Sequence, residues 1–120
     1  MIERFRCERE FRARTIAAEV VITEGGMQIG LYGGDRPHIG AVGVLDPEGQ
    51  ITVRQFETHQ EGCLCRSWCK ALAQRGIQPA VVAAGVHYDA ASRDEISQVL
   101  TLCAELQSEV LEKLREPMFR

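Results

Sequence analysis

The sequence AVVAAGV, from Ala80 to Val86, decides the fold, because it is a continuous run of small and β-branched apolar residues. Such a run predicts a strand that is buried on both faces. His87, Tyr88 and Asp89 follow it directly, so polar side chains lie where the strand is expected to end. The strand therefore has an apolar body and a polar C-terminal end.

A helix is predicted on each side of this strand. The sequence THQE, from Thr58 to Glu61, matches a capping box, and apolar residues recur at helical spacing after it. These residues are Cys65, Trp68, Cys69 and Leu72. Downstream, the sequence SRDE from Ser92 to Glu95 is a second capping box, which opens a longer helix. The apolar stripe of that helix consists of Ile96, Val99, Leu100, Cys103, Leu106, Val110 and Leu114.

Upstream of the first helix, the sequence DPEG at residues 46–49 predicts a tight turn. The strands on either side, His38 to Leu45 and Gln50 to Phe56, are expected to form a hairpin around it. Gly40 lies in the first of these strands. A glycine inside a strand, here Gly40 or Gly43, often indicates close approach of another backbone or of a ligand.

The N-terminal part predicts three further strands. An alternating apolar pattern runs from Phe5 to Thr23 and changes phase near Arg14, which indicates a bulge or a break between two strands. Met27 to Tyr32 is the third strand, and Gly33 to Pro37 is expected to be a loop. Residues 1–120 therefore predict one α+β domain. Its mixed, mostly antiparallel sheet carries two helices, in the order strands, helix, strand, helix.

Composition limits the classes of function. The 120 residues are 45% hydrophobic and 26% charged, and the formal net charge of −3 gives no support for nucleic-acid binding. No apolar run approaches the length of a membrane helix, and the N-terminus lacks the apolar centre of a signal peptide. Five cysteines, an odd number, fit free thiols in a reducing compartment. We therefore expect a cytoplasmic protein that binds no nucleic acid and no membrane.

The three histidines are expected to meet at one edge of the sheet. The hairpin places His38 close to His59. A right-handed crossover connects the strand that ends near Phe56 to the strand 80–86, and it makes these two strands parallel. Their C-terminal ends therefore lie at the same edge of the sheet, and His59 and His87 directly follow those ends. The same edge receives the helix starts near Thr58 and Ser92, whose amides attract phosphate and carboxylate.

This edge is the predicted ligand site. Imidazoles exchange protons near neutral pH and bind metals and phosphates, and the carboxylates of Glu61 and Asp89 would orient them. The candidate cofactor-binding residues are His38, Gly40, His59, Glu61, Gly85, His87 and Asp89. No catalytic residue and no metal ligand is assigned.

Two alternatives to a ligand-binding role remain open at the sequence level. In the first alternative, the histidines are structural and the chain is a dimerisation or interaction module. In another, they form a metal-dependent or acid–base enzyme, with Asp89 or Glu61 as base, although no closely spaced histidine pair supports zinc. Cys63, Cys65 and Cys69 lack the spacing of a zinc ribbon, and core packing of Cys65 and Cys69 is the favoured interpretation.

The sequence resembles a known family. His38-Ile39-Gly40-Ala41-Val42, His59-Gln60-Glu61, and GVHYD at residues 85–89 followed by Ser92 to Ile96 are similar to segments of the small D-type subunits of bacterial gallate and hydroxyarenoate decarboxylase systems. These are prenylated-flavin chaperone-like proteins, and the resemblance covers roughly residues 10 to 115. This chain departs from the family pattern at Gln60, where a lysine is expected, and in its cysteine cluster.

The resemblance implies a fold like that of proteasome assembly chaperones and a non-catalytic role. It implies an accessory protein that assists delivery of prenylated flavin mononucleotide (FMN), or maturation of a UbiD-type non-oxidative aromatic acid decarboxylase. The implied partners are the decarboxylase subunit, the flavin nucleotide (prenylated FMN or FMN) and a second copy of the chain in a homodimer.

Overall fold

The structure is a computed structural model that describes residues 1–56 and 61–114. Within these residues it contains six strands and two helices. They are β1 (Glu3–Phe11), β2 (Arg14–Thr23), β3 (Gly26–Gly34), β4 (Ala41–Leu45), β5 (Ile51–Gln55), α1 (Glu61–Gln74), β6 (Ala80–His87) and α2 (Arg93–Lys113). The predicted α+β class and element order are confirmed.

The strands form one mixed sheet in the order β1-β2-β3-β6-β4-β5. Only the β3–β6 pair is parallel among the described strands, and the other pairs are antiparallel. The change of phase near Arg14 is a break. Arg12 and Ala13 both have positive φ, of 53° and 60°, and form a two-residue turn between β1 and β2.

Both helices pack on the same face of the sheet. Five residues on neighbouring strands pair with one another across this face, and all of them are buried: Cys7, Ala18, Leu31, Ala84 and Ala41. Helix α1 lies on β4, β5 and β6, and α2 lies on β1 and β2. The predicted inner face of α1 is confirmed, because Cys65, Trp68, Cys69 and Leu72 are all buried.

Several predicted details are wrong. β6 is not buried on both faces, because Val81 is 40% exposed on the face opposite the helices. β4 begins at Ala41 rather than His38, because the preceding segment leaves the sheet. Gly33 and Gly34, expected in a loop, complete β3 and pair with Val86 and His87.

The two capping boxes have different outcomes. At α2, Ser92 accepts a hydrogen bond from the Glu95 amide and the Glu95 carboxylate accepts one from the Ser92 amide, as predicted. The first box depends on residues 57–60, which lie outside the described residues. Neither of the described helices is long and apolar enough to cross a membrane.

Candidate ligand-binding site

One edge of the sheet collects the segments that carry the predicted site residues. β5 and β6 both run antiparallel to β4, which lies between them, so they run in the same direction, as the sequence predicts. Gly34 at the end of β3 pairs with His87 at the end of β6. Ala41 at the start of β4 pairs with Gln55 near the end of β5. We call this edge the rim (residues 34–41, 55–56, 61 and 85–89).

The segment that precedes β4 crosses the end of β6 at close range. The amide of Gly40 donates to the carbonyl of Ala84 at 2.8 Å, and the amide of His38 lies 3.4 Å from the carbonyl of Gly85. A Cβ at Gly85 would collide with the carbonyl oxygen of His38. Gly85 is therefore required by the approach of another backbone, and this approach holds His38 over the end of β6.

His38 faces Glu61, the first residue of α1. Its Nδ1 lies 2.9 Å from the carbonyl oxygen of Arg36, and because a carbonyl can only accept, Nδ1 is assigned the proton. Its Nε2 lies 3.7 Å from Oε2 of Glu61. A neutral imidazole would then direct a lone pair at the carboxylate. The contact is attractive only when a further proton resides on Nε2 or on Glu61.

Glu61 is a buried carboxylate with incomplete hydrogen bonding. It is 6% exposed and lies in the first turn of α1, where the helix dipole favours a negative charge. Among the described residues, Oε1 has no hydrogen-bond partner, and the 3.7 Å from Oε2 to His38 is too long for one. A buried acceptor without a partner costs about 1–3 kcal/mol. Gly40 accommodates the carboxylate closely, since a Cβ there would lie 3.0 Å from Oε1.

His87 lies between a cation and an anion. Its Nε2 is 2.9 Å from Oδ1 of Asp89 and 3.2 Å from Nη2 of Arg36. A protonated Nε2 donates to Asp89, whereas a deprotonated Nε2 accepts from Arg36. One nitrogen cannot make both hydrogen bonds at once, so the presence or absence of a hydrogen on Nε2 determines whether it pairs with Asp89 or with Arg36.

Asp35 anchors the chain at the rim. Its carboxylate accepts a hydrogen bond from the amide of Asp89 at 2.9 Å and lies 3.4 Å from Arg14 and 3.7 Å from Arg12. The hydrogen bond from the Asp89 amide and the nearby guanidinium groups lower the pKa of Asp35. This network joins the turn after β3 to the turn after β6.

A cleft of about 570 Å³ opens between the two helices at the rim. Small-molecule sites span about 300–1,000 Å³, and this cleft falls within that range. Its polar lining residues are Glu61, His87 and Tyr88. Its other lining residues are Leu64, Val86, Ala90, Ala91, Ile96, Val99, Leu100 and Cys103. The cleft therefore suits a ligand with a largely apolar body and few polar groups.

A second concavity, of about 590 Å³, lies between β1 and the outer side of α2. Arg9 there binds Glu109 at 2.7 Å and Glu105 at 3.1 Å. Arg9, Glu105 and Glu109 are thus already paired, and this concavity is more open to solvent than the cleft at the rim. The cleft is accordingly the better candidate for a ligand site.

The start of α2 is a poorer anion site than the sequence suggests. Asp94 and Glu95 occupy its first turn and add negative charge beside the free amides. The Glu95 carboxylate also lies 3.7 Å from Arg12. Phosphate would meet like charges there, so positive charge must come from elsewhere at the rim.

The cysteines act as core residues wherever they are buried. Cys65 and Cys69 are fully buried against the sheet, as the helical pattern predicts. Burial raises the pKa of Cys65 to about 11, and that of Cys103 to about 11 as well, so neither is a ready thiolate. Within the described residues, no group of three or more histidine, cysteine or acidic side chains is arranged to hold a metal ion.

The seven predicted residues take different places. Glu61 and His87 line the cleft, while His38 and Asp89 contact them from outside it. Gly40 and Gly85 allow close approach of neighbouring atoms. His59 lies outside the described residues.

Sequence reasoning missed the apolar wall of the cleft. Ile96 and Leu100, assigned to the core stripe of α2, are 50% and 45% exposed. An apolar stripe shows which face of a helix is apolar but not whether another element covers it. No sequence signal distinguishes these two residues from Leu106, which is fully buried on the same stripe.

Comparison with known proteins bears on the fold and the family of the chain. No curated protein matches the chain in sequence. A solved chain from a chaperone complex for yeast 20S proteasome assembly superposes with a TM-score of 0.59, at 10% identity, over 94% of this chain and 98% of that one. That similarity shows the fold alone. The family model for the LpdD-like prenylated flavin chaperone domain matches residues 10–115, so the chain belongs to this family.

Proposed function

We propose that this protein is a non-catalytic accessory chaperone that binds prenylated FMN, or FMN, in the cleft between α1 and α2. The observation that carries the proposal is that cleft, which has an apolar wall and a buried carboxylate. Membership of a prenylated flavin chaperone family supplies the ligand class.

The cleft residues fit the flavin group in three respects. Val86, Val99 and Leu100 offer an apolar wall for the ring system. Glu61 contributes a buried carboxylate to the polar lining of the cleft. Arg36, in contact with His87, offers a cation for the phosphate and forms no ion pair with a carboxylate in the described part of the chain.

The chain contributes binding and shelter in this proposal. The flavin ring supplies electron-accepting chemistry, which is used in the enzyme that receives it. Apolar residues of the cleft exclude water from the ring.

The finer proposal concerns the partner. The protein would hand the flavin to a UbiD-type decarboxylase that acts on gallate or a related hydroxyarenoate, in the cytoplasm. Residues 1–120 would work as one prenylated-flavin chaperone-like domain. His59, a further candidate ligand residue on the sequence evidence, belongs to the same proposal.

Calorimetric titration of the purified protein with FMN and with prenylated FMN tests the proposal. We expect saturable binding of at least one of them. Leu100→Lys should abolish it by placing a charge on the apolar wall, whereas Glu48→Lys, in the turn at the far end of β4, should not. Absence of binding, alone or with an apo-decarboxylase, would contradict the proposal.

A second candidate function is homodimerisation through the open face of the sheet. Val44 and Val81 are cross-strand partners on that face and are 42% and 40% exposed. Large exposed apolar side chains side by side are typical of a contact surface. Sedimentation velocity should give a dimer for the wild type and a monomer for Val81→Lys, with Ile2→Lys as control. A monomeric wild type would exclude this candidate.

A further inference from the structure

We infer that the open face of the sheet, opposite the helices, is a self-complementary interface in which Glu19 of each copy pairs with the partner's Arg54. The inference rests on homodimerisation through that face, the second candidate function, and specifies how the two copies meet. The placement of charge on the face and the symmetry of a homodimer carry it.

The centre of the open face is uncharged. Residues of the three inner strands that alternate onto it are Gln28, Gly30, Tyr32, Val42, Val44, Val81 and Ala83. Val44 and Val81 are exposed there. The ring of Tyr32 lies over Gly30, because a Cβ at Gly30 would collide with it. No described element covers this apolar centre, so a second protein surface can pack on it.

Charges of opposite sign flank this centre. Six residues pair in register across the face, from β1 to β5: Arg6, Glu19, Gly30, Ala83, Val42 and Arg54. Glu19 on β2 and Arg54 on β5 are both exposed, and each lies two strands away from β6. Glu19 pairs with Arg6 of its own chain. Arg54 forms no ion pair with any described residue, so its charge is available to a partner.

The symmetry of a homodimer distinguishes two ways of stacking these faces with their strands aligned. The two-fold axis lies between the sheets, either parallel to the strands or across them. An axis parallel to β6 exchanges the two sides of the sheet, which brings Glu19 to the partner's Arg54. An axis across the strands, centred on Ala83, brings Glu19 to the partner's Glu19 and Arg54 to the partner's Arg54. Opposite charges attract and like charges repel, so the charges select the axis parallel to β6.

This axis has a consequence for the ligand site. Rotation about an axis parallel to the strands preserves the strand direction, so the rims of both copies lie at the same end of the dimer. Each cleft is lined by residues of its own helices, on the other side of the sheet, and stays outside the interface. A decarboxylase that approaches this end would therefore meet both clefts from one side.

Charge reversal tests the arrangement. Sedimentation equilibrium gives the dimer dissociation constant of wild type, Arg54→Glu, Glu19→Arg, the double variant and the control Lys70→Glu, which lies on the exposed side of α1. We expect each single reversal to raise the constant at least about ten-fold, because both symmetry-related pairs become repulsive. The double variant should return to within about five-fold of wild type, and the control should not change.

Each outcome decides a different point. A monomeric wild type would exclude both the interface and the homodimer. A dimer that neither single reversal weakens would overturn the pairing of Glu19 with Arg54 but leave the homodimer standing. Weakening by both reversals without recovery in the double variant would mean that the two charges do not meet, and would also overturn it. Should Glu19→Arg not fold, Arg54→Glu and Arg54→Lys still decide, since only the first reverses the charge.

Discussion

The two halves of α2 are packed in opposite ways. In the C-terminal half, Cys103, Leu106 and Val110 are buried over the sheet. In the N-terminal half, Ile96 and Leu100 continue the same apolar stripe but are about half exposed and line the cleft. The difference teaches that one stripe serves two purposes: its buried part holds the fold together, and its exposed part remains available to a ligand.

The sharpest test of this comparison is the pair Leu106→Ala and Leu100→Ala. Leu106 is fully buried, so its truncation should lower the free energy of unfolding by about 2–5 kcal/mol. Leu100 is 45% exposed, and its truncation should cost less than about 1 kcal/mol while weakening flavin binding. Urea denaturation and calorimetry measure the two effects. Equal losses of stability would mean that the two halves do not differ.

A second test addresses the rim through Gly85→Ala. The added methyl group would collide with the carbonyl of His38, so the segment before β4 must move. We expect a loss of about 1–3 kcal/mol in unfolding free energy, together with weaker ligand binding. Gly25→Ala is the matched control, because a Cβ there meets no atom within 4 Å. Unchanged stability and binding in Gly85→Ala would contradict the role given to this crossing.

A smaller effect is expected at Arg36, which contacts the cleft residue His87. Arg36→Gln should weaken binding of FMN by about two- to five-fold, since an exposed ion pair contributes little. Riboflavin, which lacks the phosphate, should bind both proteins equally. Arg54→Gln, on β5, serves as the control. If riboflavin loses as much affinity as FMN, Arg36 does not act on the phosphate.

The smallest effect concerns acid stability. The pKa of Asp35 is lowered in the folded protein, chiefly by the Asp89 amide. Its contribution to stability is therefore present above its ordinary value of 3.8 and is lost as the pH falls through the lower, folded value. Melting temperatures measured from pH 5 to pH 2 should fall less steeply for Asp35→Asn than for wild type. Parallel profiles would show that Asp35 carries no such contribution.

The topology was predictable because its signals are local. The DPEG turn defines the β4–β5 hairpin, and the helical spacing after it defines α1. A right-handed return then makes β5 and β6 run in the same direction. Those three steps bring His38 and His87 to one edge without any knowledge of long-range contacts.

Other features of the structure could not be predicted, because they depend on which element packs against a residue, and the sequence pattern does not show this. Val81 belongs to an apolar run, but no described element covers its face of the sheet. The sequence pattern predicts that His38 belongs to a strand, yet its backbone crosses over Gly85 before β4 begins. Likewise, sequence spacing cannot show that a carboxylate at Glu61 is buried with an unused oxygen, because this follows from how α1 meets Gly40.

The position of β6 between β3 and β4 has a consequence for biosynthesis. A nascent chain that has emerged only as far as α1 contains the β1–β3 meander and the β4–β5 hairpin, but their facing edges have no strand to join them. Those edges expose unpaired amides and carbonyls to neighbouring chains until residues 80–87 arrive. Among the described strands, the one synthesised last is thus the one that closes the sheet, and the cleft is completed only after it.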